Sequence, residues 1–317
     1  MPLADFIIQT NAGLYCRYGN FYLDPQQAVA RAVISHAHGD HAVSGHQEVY
    51  CTEPTRAFME QRYRKFAAQQ FETYAYGRTF RLNDVDITFF SAGHILGSAL
   101  IHMAYKGCTY LYTGDYKRET DATSAPFHQG VTADVLITET TFAYPELEHP
   151  DAKSEIQKLT KIDANIMLGA YALGKSQRLI SLINAYCPEK KVLLHHSIVP
   201  FTKIYEQFDM PVGHYQPYDR KVMKTGNNLI YIVPPMVFHS YFKALHVVRI
   251  FASGWKHLQQ DAERSLFISD HVDWPGILRT IKEVNPQEIW TVHGEGKHLK
   301  NSFEGQIPVK TLHLVKP

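Results

Sequence analysis

The chain contains no apolar run long enough to cross a bilayer, which excludes a membrane-spanning helix. Its start, Met1-Pro2-Leu3-Ala4-Asp5, lacks both a basic segment and a long apolar core, so no signal peptide is expected. Cysteine is scarce. Cys16, Cys51, Cys108 and Cys187 are far apart, form no C-x-x-C pair and read as buried or incidental thiols of a reduced compartment, with the cytoplasm as the default. No internal repeat or low-complexity segment is visible. Charge of one sign is also missing: the net charge is +1, which gives no global hint of nucleic acid. A polyanion-binding groove does not need a basic chain around it. At 317 residues, 45% of them hydrophobic and 20% charged, the composition is that of a globular protein of one large domain or two ordinary ones.

What the chain does have is histidine, 18 in all, and the densest group is Ser35-His36-Ala37-His38-Gly39-Asp40-His41. Four metal-capable side chains fall within six residues, directly after the apolar Ala32-Val33-Ile34, which reads as a short buried strand. His36 and His38, two apart, point to the same side of an extended segment. Gly39 lets the backbone turn, and a helix is expected to start near Asp40. Asp40 and His41, past the turn, face a second point nearby. Imidazoles with a carboxylate are a ligand mix for zinc or manganese.

The segments Phe6–Thr10, Gly13–Cys16 and Asn20–Asp24 read as an opening β-meander. Asp24 is either a turn residue before Pro25 or a carboxylate that orients a histidine ligand. Pro54–Ala68 has helical spacing. Val85–Phe90 alternates like a strand and runs into Ala92-Gly93-His94-Ile95-Leu96-Gly97-Ser98, where a histidine next to a glycine at a strand end can approach an ion closely. Tyr110-Leu111-Tyr112-Thr113-Gly114-Asp115 and Val135–Thr141, with Glu139, are strands that end in carboxylates. From Ala143 to Glu263 a distinct α/β pattern intervenes. Helical spacing at Lys153–Lys161 and Lys175–Cys187 alternates with strands Ile166–Ala170, Lys191–His195, Asn228–Val233 and Val247–Phe251. Tyr144-Pro145-Glu146 and Gln260-Asp261 mark plausible hinges. Ser265–Asp273 and Glu288-Ile289-Trp290-Thr291-Val292-His293-Gly294-Glu295 then return to strand-then-histidine patterns around a helix at Ile277–Val284.

H-x-H-x-D-H after a strand resembles the signature of the metallo-β-lactamase superfamily. That resemblance implies an αββα sandwich with a two-metal site on the edge between its sheets. The A-G-H-x-x-G-S form resembles the nuclease branch. An inserted unit followed by S-D-H-x-D and V-H-G-E is similar to the β-CASP nucleases, giving an expected order of 1–142 and 264–317 as the two parts of the metallo-β-lactamase domain and 143–263 as the inserted α/β β-CASP domain. Gly13-Leu14-Tyr15-Cys16, Asn20–Pro25, Gly45-His46 and Gly169-Ala170-Tyr171-Ala172-Leu173-Gly174-Lys175-Ser176-Gln177 look like the bacterial DNA ligase-associated exonucleases. That family's name links it to an ATP-dependent DNA ligase and a helicase. By motif, the resemblance implies that His36, His38 and His94 hold one ion and Asp40, His41 and His293 the other, with Asp115 bridging. The ions would be zinc, or manganese. It also implies His271 as general acid with Glu139 as its partner. A carboxylate beside an imidazole favours the protonated form an acid needs.

In the inserted unit, the loop from Gly169 to Arg178 precedes a helix and suits a phosphate, with Tyr171, Lys175 and Ser176 beside it. A plain strand–turn–helix gives the same pattern. Ser253 and Gly254 could hold a phosphate, and Trp255 either stacks on a base or packs in the core. The expected activity is a two-metal DNA exonuclease, single-strand-specific and 5′-to-3′, in end processing before ligation. An RNA-processing nuclease is the alternative, because His293-Gly294-Glu295 is the setting of the RNA-processing members. A small-molecule metallo-hydrolase shares the metal string but not the inserted unit, Glu139 or S-D-H-x-D. A catalytically dead nucleic-acid-binding module is opposed by the complete ligand set.

Overall fold

The structure is a computed structural model that describes residues 5–240, 247–255, 257–259, 262–294 and 296–312. Gln260, Asp261 and Glu295, and with Glu295 the end of the V-H-G-E motif, lie outside the described residues. The chain forms two compact units. One comprises Met1–Thr120, Ser124–Glu148 and His271–Pro317, and the other Asp121–Thr123 and His149–Asp270.

The first unit is built on two sheets. In one, the strands Ile7–Thr10, Gly13–Cys16, Phe21–Leu23, Arg31–Val33, His46–Cys51 and Ala68–Thr73 lie in chain order. The first three pair antiparallel, as the Asn-Ala-Gly and Tyr-Gly-Asn turns between them require, and the rest run parallel. In the other, Val309–Thr311, Glu288–Val292, Val135–Glu139 and Cys108–Tyr112 run parallel, and Ala99–Tyr105, Val85–Ser91 and Thr79–Leu82 continue antiparallel. Period-2 alternation explains the packing. In Val85–Ser91, Val85, Ile87 and Phe89 point into a core shared with Leu14, Phe21 and Val33 of the first sheet, while Phe90 packs on the outer side. Val135–Glu139, with a parallel neighbour on each side, is buried on both faces and therefore apolar throughout until Thr138.

Helices cover the two outer faces. Glu53–Tyr63 starts on a Thr52 side-chain cap with Pro54 in its first turn, and lays Met59 on Ala32, Val49 and Cys51. Trp274–Val284 starts on Asp273, ends on left-handed Asn285, and buries Ile277, Ile281 and Val284 against Leu100, Leu111, Leu136 and Ile289. The result is the expected αββα layering.

The second unit is an all-parallel sheet with strand order Gln216–Pro217, Lys191–Leu194, Leu229–Val233, Asn165–Gly169, Val247–Ala252 and Arg264–Leu266. The helix Lys175–Tyr186 covers one face through Leu179, Ile180 and Ile183.

Two local expectations fail. No helix starts near Asp40. The amides of His41 and Ala42 both bond His38 O in a simple turn, and the chain runs straight into the strand His46–Cys51. The turn does not depend on glycine, because a Cβ on Gly39 would meet nothing and its φ is not left-handed. The expected helix at Lys153–Lys161 is one short helix, Ala152–Ile156, tightening into a 3₁₀ turn, Gln157–Lys161. Among the described residues no helix is long and apolar enough to cross a membrane. Cys16, Cys51, Cys108 and Cys187 are free and buried.

His46 opens its strand fully buried, and its Nδ1 accepts the amide of Val29 at 3.2 Å. Burial pushes its pKa down to about 4. The unfolded chain takes up this proton near 6.5 and the folded chain only near 4, so stability present above pH 6.5 is lost as pH falls through that window. In metal-free protein, the stability lost between pH 7.5 and 4.5 in urea titrations should be roughly 2 to 3 kcal/mol smaller for His46→Asn than for the native chain. Equal losses would remove His46 as the cause.

Candidate metal centre

Every donor of the centre follows a strand of the first unit. Arg31–Val33 leads into His36, His38 and His41. Cys108–Tyr112 leads into Asp115, Val135–Glu139 ends on Glu139, and Glu288–Val292 leads into His293. His94 follows Val85–Ser91, the one antiparallel strand in the group. Parallel pairing brings carboxyl ends together at one edge, which is why residues more than 250 positions apart meet.

Ligand atoms of His36, His38, His94 and Asp115 lie within 4.8 Å of one another, as do those of His41, Asp115 and His293. Asp115 belongs to both groups. Its Oδ2 is 3.5 Å from His36 Nε2 and 3.8 Å from His94 Nε2, and its Oδ1 is 3.3 Å from His41 Nε2. His94 Nε2 and His38 Nδ1 face each other at 3.1 Å. Nε2 of His36, His41 and His293 is buried without a hydrogen-bond partner. An unsatisfied buried polar atom costs about 1–3 kcal/mol. Three such atoms in one cluster, with a shared carboxylate, fit a pair of divalent cations, since a cation satisfies each lone pair.

The backs of the rings are held as well. Asp24 Oδ2 is 2.8 Å from His41 Nδ1, and a carboxylate can only accept, so Nδ1 carries a proton and Nε2 is the nitrogen left for an ion. Ser35 donates its hydroxyl to the same Asp24 oxygen and lies 3.0 Å from His36 Nδ1, which fixes His36 in the same tautomer. Asp24 also accepts the Ser35 amide and the Tyr112 hydroxyl. Of the two readings of Asp24, the structure therefore places it as the carboxylate behind a histidine. Ser35 and Tyr112 were missed by sequence reasoning, although both border recognised motifs.

Close approach makes glycine necessary at two points. A Cβ on Gly114, whose φ is +51°, would fall 2.4 Å from Ser35 Oγ, and one on Gly93, φ +71°, would fall 2.3 Å from the Lys117 carbonyl. His293 itself has φ 55°, a strained backbone that the buried Val292–Thr140 pairing holds.

Burial, reinforced by the neighbouring His41, keeps His36 neutral well below the ordinary histidine range, and the same two causes lower His293. For His41, burial opposes the charge but Asp115 and Asp24 outweigh it and hold the ring well above that range. Burial would raise Asp115, yet His41 and His271 hold it well below the usual carboxylate range. Neutral His36 and His293 beside an ionised Asp115 are in the protonation states that bind metal, and His41 would give up a proton to an ion.

Glu139 and His271 form a third pair. Glu139 is fully buried, accepts the Tyr116 amide at 2.9 Å, and its Oε2 is 2.8 Å from His271 Nδ1. That nitrogen is 3.9 Å from Asp115, and the His271 side chain is 26% exposed.

Asp40 lies at the rim. Its side chain is 70% exposed, with Oδ2 3.9 Å from His41 Nε2. In the second unit, Lys175 is given other partners than the expected phosphate: its Nζ is buried, 2.6 Å from Ile268 O and 3.0 Å from Asp270. Arg178 also pairs with Asp270, at 3.1 Å. The Ser176 hydroxyl donates to the Tyr171 carbonyl, and the ring of Tyr171 is 51% exposed. Ser253 is buried, its hydroxyl accepting the Trp255 amide across Gly254.

Replacing Ser35 by Ala removes the acceptor behind His36. Chelator competition should show about 10- to 100-fold weaker metal binding, with the metal-free fold retained by circular dichroism. Native affinity in Ser35→Ala would rule out the hydroxyl as an orienting group.

No family model matches the chain. It is 31% identical over 310 residues to a protein of Opitutus terrae named probable DNA ligase, a match covering 90% of this chain and 29% of that one. It is 23% identical to the RNase J-like protein of Methanocaldococcus jannaschii, over 85% of this chain and 82% of that one. A 122-residue stretch is 35% identical to the endoribonuclease ysh1 of Aspergillus fumigatus, covering 36% of this chain and 14% of the relative. The chain thus spans less than a third of its ligase-named and fungal relatives. In fold it resembles a protein of unknown function from Enterococcus faecalis V583, with a TM-score of 0.58 at 12% identity over 90% of this chain and 79% of that one. Sequence matches along nearly the whole length, joined to two facing sheets with histidines and carboxylates gathered at their carboxyl edge, make the chain a member of the metallo-β-lactamase superfamily, in its β-CASP branch.

Proposed function

We propose that the chain is a metal-dependent nuclease that hydrolyses phosphodiester bonds at two divalent ions. The observation that carries this reading is Asp115, one buried carboxylate shared by two groups of imidazoles. His36, His38 and His94 would hold one ion. His41 and His293 would hold the other, joined by Asp40 from the rim, with Asp115 between the two. When bound, such ions supply Lewis acidity, lowering the pKa of water and neutralising charge on the phosphoryl group. Zinc is the ion we favour, and the same ligands suit manganese.

The chain itself handles the other proton. Cleavage leaves an alkoxide, and His271 protonates it. Glu139 holds Nδ1–H of that ring, so Nε2 is left to give the proton, and the ring's partial exposure keeps it within a substrate's reach.

For the substrate we favour DNA, single-stranded and degraded 5′-to-3′ as part of end processing linked to a ligase and a helicase. A protein named probable DNA ligase devotes 29% of its length to a match with this chain, which supports that setting. RNA is the second reading, supported by the relatives named endoribonuclease and RNase J-like. A cytoplasmic location suits four free thiols.

Metal-loaded protein is given matched 5′-labelled single-stranded DNA and RNA, with Asp115→Ala as the contamination control. We expect label released as mononucleotide from DNA and nothing from the mutant. Cleavage of RNA alone would transfer the chain to RNA processing, and cleavage of neither with metal bound would sink the nuclease reading. In the same assay His271→Ala should cut the rate about 100-fold or more while leaving the metal content by elemental analysis unchanged. A normal rate would take His271 out of the mechanism.

A further inference from the structure

Single strands are gripped by cations along the backbone and by aromatic rings under the bases. The second unit carries both in one place. The edge where its parallel strands end is the edge at which open α/β sheets bind ligands. There Tyr218 stacks on Tyr231 with centroids 4.1 Å apart and planes at 27°. Tyr231 is 6.3 Å from His195, whose ring is 4.0 Å from that of His196. Tyr231 is buried, while Tyr218 is 40% exposed, so one ring supports a face of the other that solvent can reach.

Directly after Tyr218, the helix Arg220–Thr225 presents Arg220, Lys221 and Lys224, all exposed. Among the described residues none of the three forms an ion pair. In a chain with 32 cations and 31 anions, such a cluster is a local excess. With Tyr218 and Asp219 these cations line one shallow depression that is open to solvent. Asp219 is turned to another use, its carboxylate capping the helix through the amides of Lys221 and Val222. The helix is also fixed in place. The Asn165 side chain donates to the carbonyls of Met223 and Gly226 and accepts the amide of Leu229, tying the helix end to the sheet.

We propose that Tyr218, Arg220, Lys221 and Lys224 form a ledge that binds single-stranded nucleic acid, with a base on the Tyr218 ring and phosphates on the three cations. The identity of the ligand rests on the nuclease reading. Stacking on a ring does not touch the sugar, so DNA and RNA strands of equal length should bind alike here.

The test is fluorescence anisotropy of metal-loaded protein with short labelled oligothymidylate and oligouridylate carrying phosphorothioate linkages, across a salt series. Arg220→Ala/Lys221→Ala/Lys224→Ala should lower affinity about 10-fold or more near 0.1 M salt and flatten the log–log salt slope by about 2. Tyr218→Ala should lower affinity about 5- to 100-fold with the slope unchanged, and Tyr218→Phe should bind as the native chain does. Native affinity and slope in both the triple variant and Tyr218→Ala would overturn the ledge, as would equal binding of polyglutamate by the native chain. Hydrolysis of bis(p-nitrophenyl) phosphate reads the metal centre separately and should be the same in all these variants. Native protein that lacks this hydrolysis but still binds oligonucleotide through Tyr218 and the cations would overturn the nuclease reading and leave the ledge standing.

Discussion

The carboxylate of Asp24 touches both sheets of the first unit. From its own sheet it accepts the amide and hydroxyl of Ser35, and from the facing sheet the hydroxyl of Tyr112. It also takes Nδ1–H of His41. Four donors on one buried carboxylate offset the cost of removing its charge from water, a cost that an unpaired group could not meet. The consequence for the site is one of direction. With Nδ1 protons committed on His41, and through Ser35 on His36, both rings turn Nε2 toward Asp115. A metal centre needs lone pairs aimed at a common point, and hydrogen bonds behind the ligands supply that aim before any ion arrives. Gly114 belongs to the same device, because any side chain there would strike Ser35 and separate the Asp115 loop from the histidine string.

The two units use charge in opposite ways. In the first, buried charge is concentrated where chemistry is proposed: Asp115 between His41 and His271, and Glu139 behind His271. In the second, one group of buried ions is tied together. Lys175 and Arg178 share Asp270, and Arg178 also meets Asp121 at 3.4 Å. Buried pairs of this kind fix local geometry more than they add stability. They hold the end of the segment Phe267–Asp270, one residue before His271. Arg220, Lys221 and Lys224, without an ion pair among the described residues, stand at its surface beside Tyr218, where a polyanion can reach them without the cost of breaking a buried pair.

Much of the fold was legible along the chain. The meander, the alternating Val85–Phe90, the apolar Val135–Ile137 and the helix before Asn285 follow from periodicity and caps, which are local properties. The metal-type residues were legible for the same reason: H-x-H-x-D-H concentrates its chemistry within six positions, and His94, Asp115 and His293 each mark the end of a strand. The places where the reading failed are those where a distant partner decides. The helix expected after Gly39 gave way to a turn, because the next strand begins six residues past Asp40 and pairs with Arg31–Val33. Lys175 looked like a phosphate contact in a glycine-punctuated loop, yet Asp270, 95 positions later, takes its ammonium group.

By itself, then, the sequence determined which residues are available and in what local geometry, since strand period, turn chemistry and motif spacing act over a few residues. The tertiary structure decided which atom of each residue faces which neighbour. Asp24, ambiguous between turn and ligand support, became the carboxylate behind His41 only when Tyr112 and Ser35 closed around it. Asp40, in the heart of the motif, was left at the exposed rim. Tyr218 and the cations after it carry no motif at all and became a candidate surface only through Tyr231 beneath them and the pairing of Leu194 with Pro217 beside them. Exposure, tautomer and the pairing of charges depend on groups far apart in the chain, and packing brings those groups together in ways that local pattern does not encode.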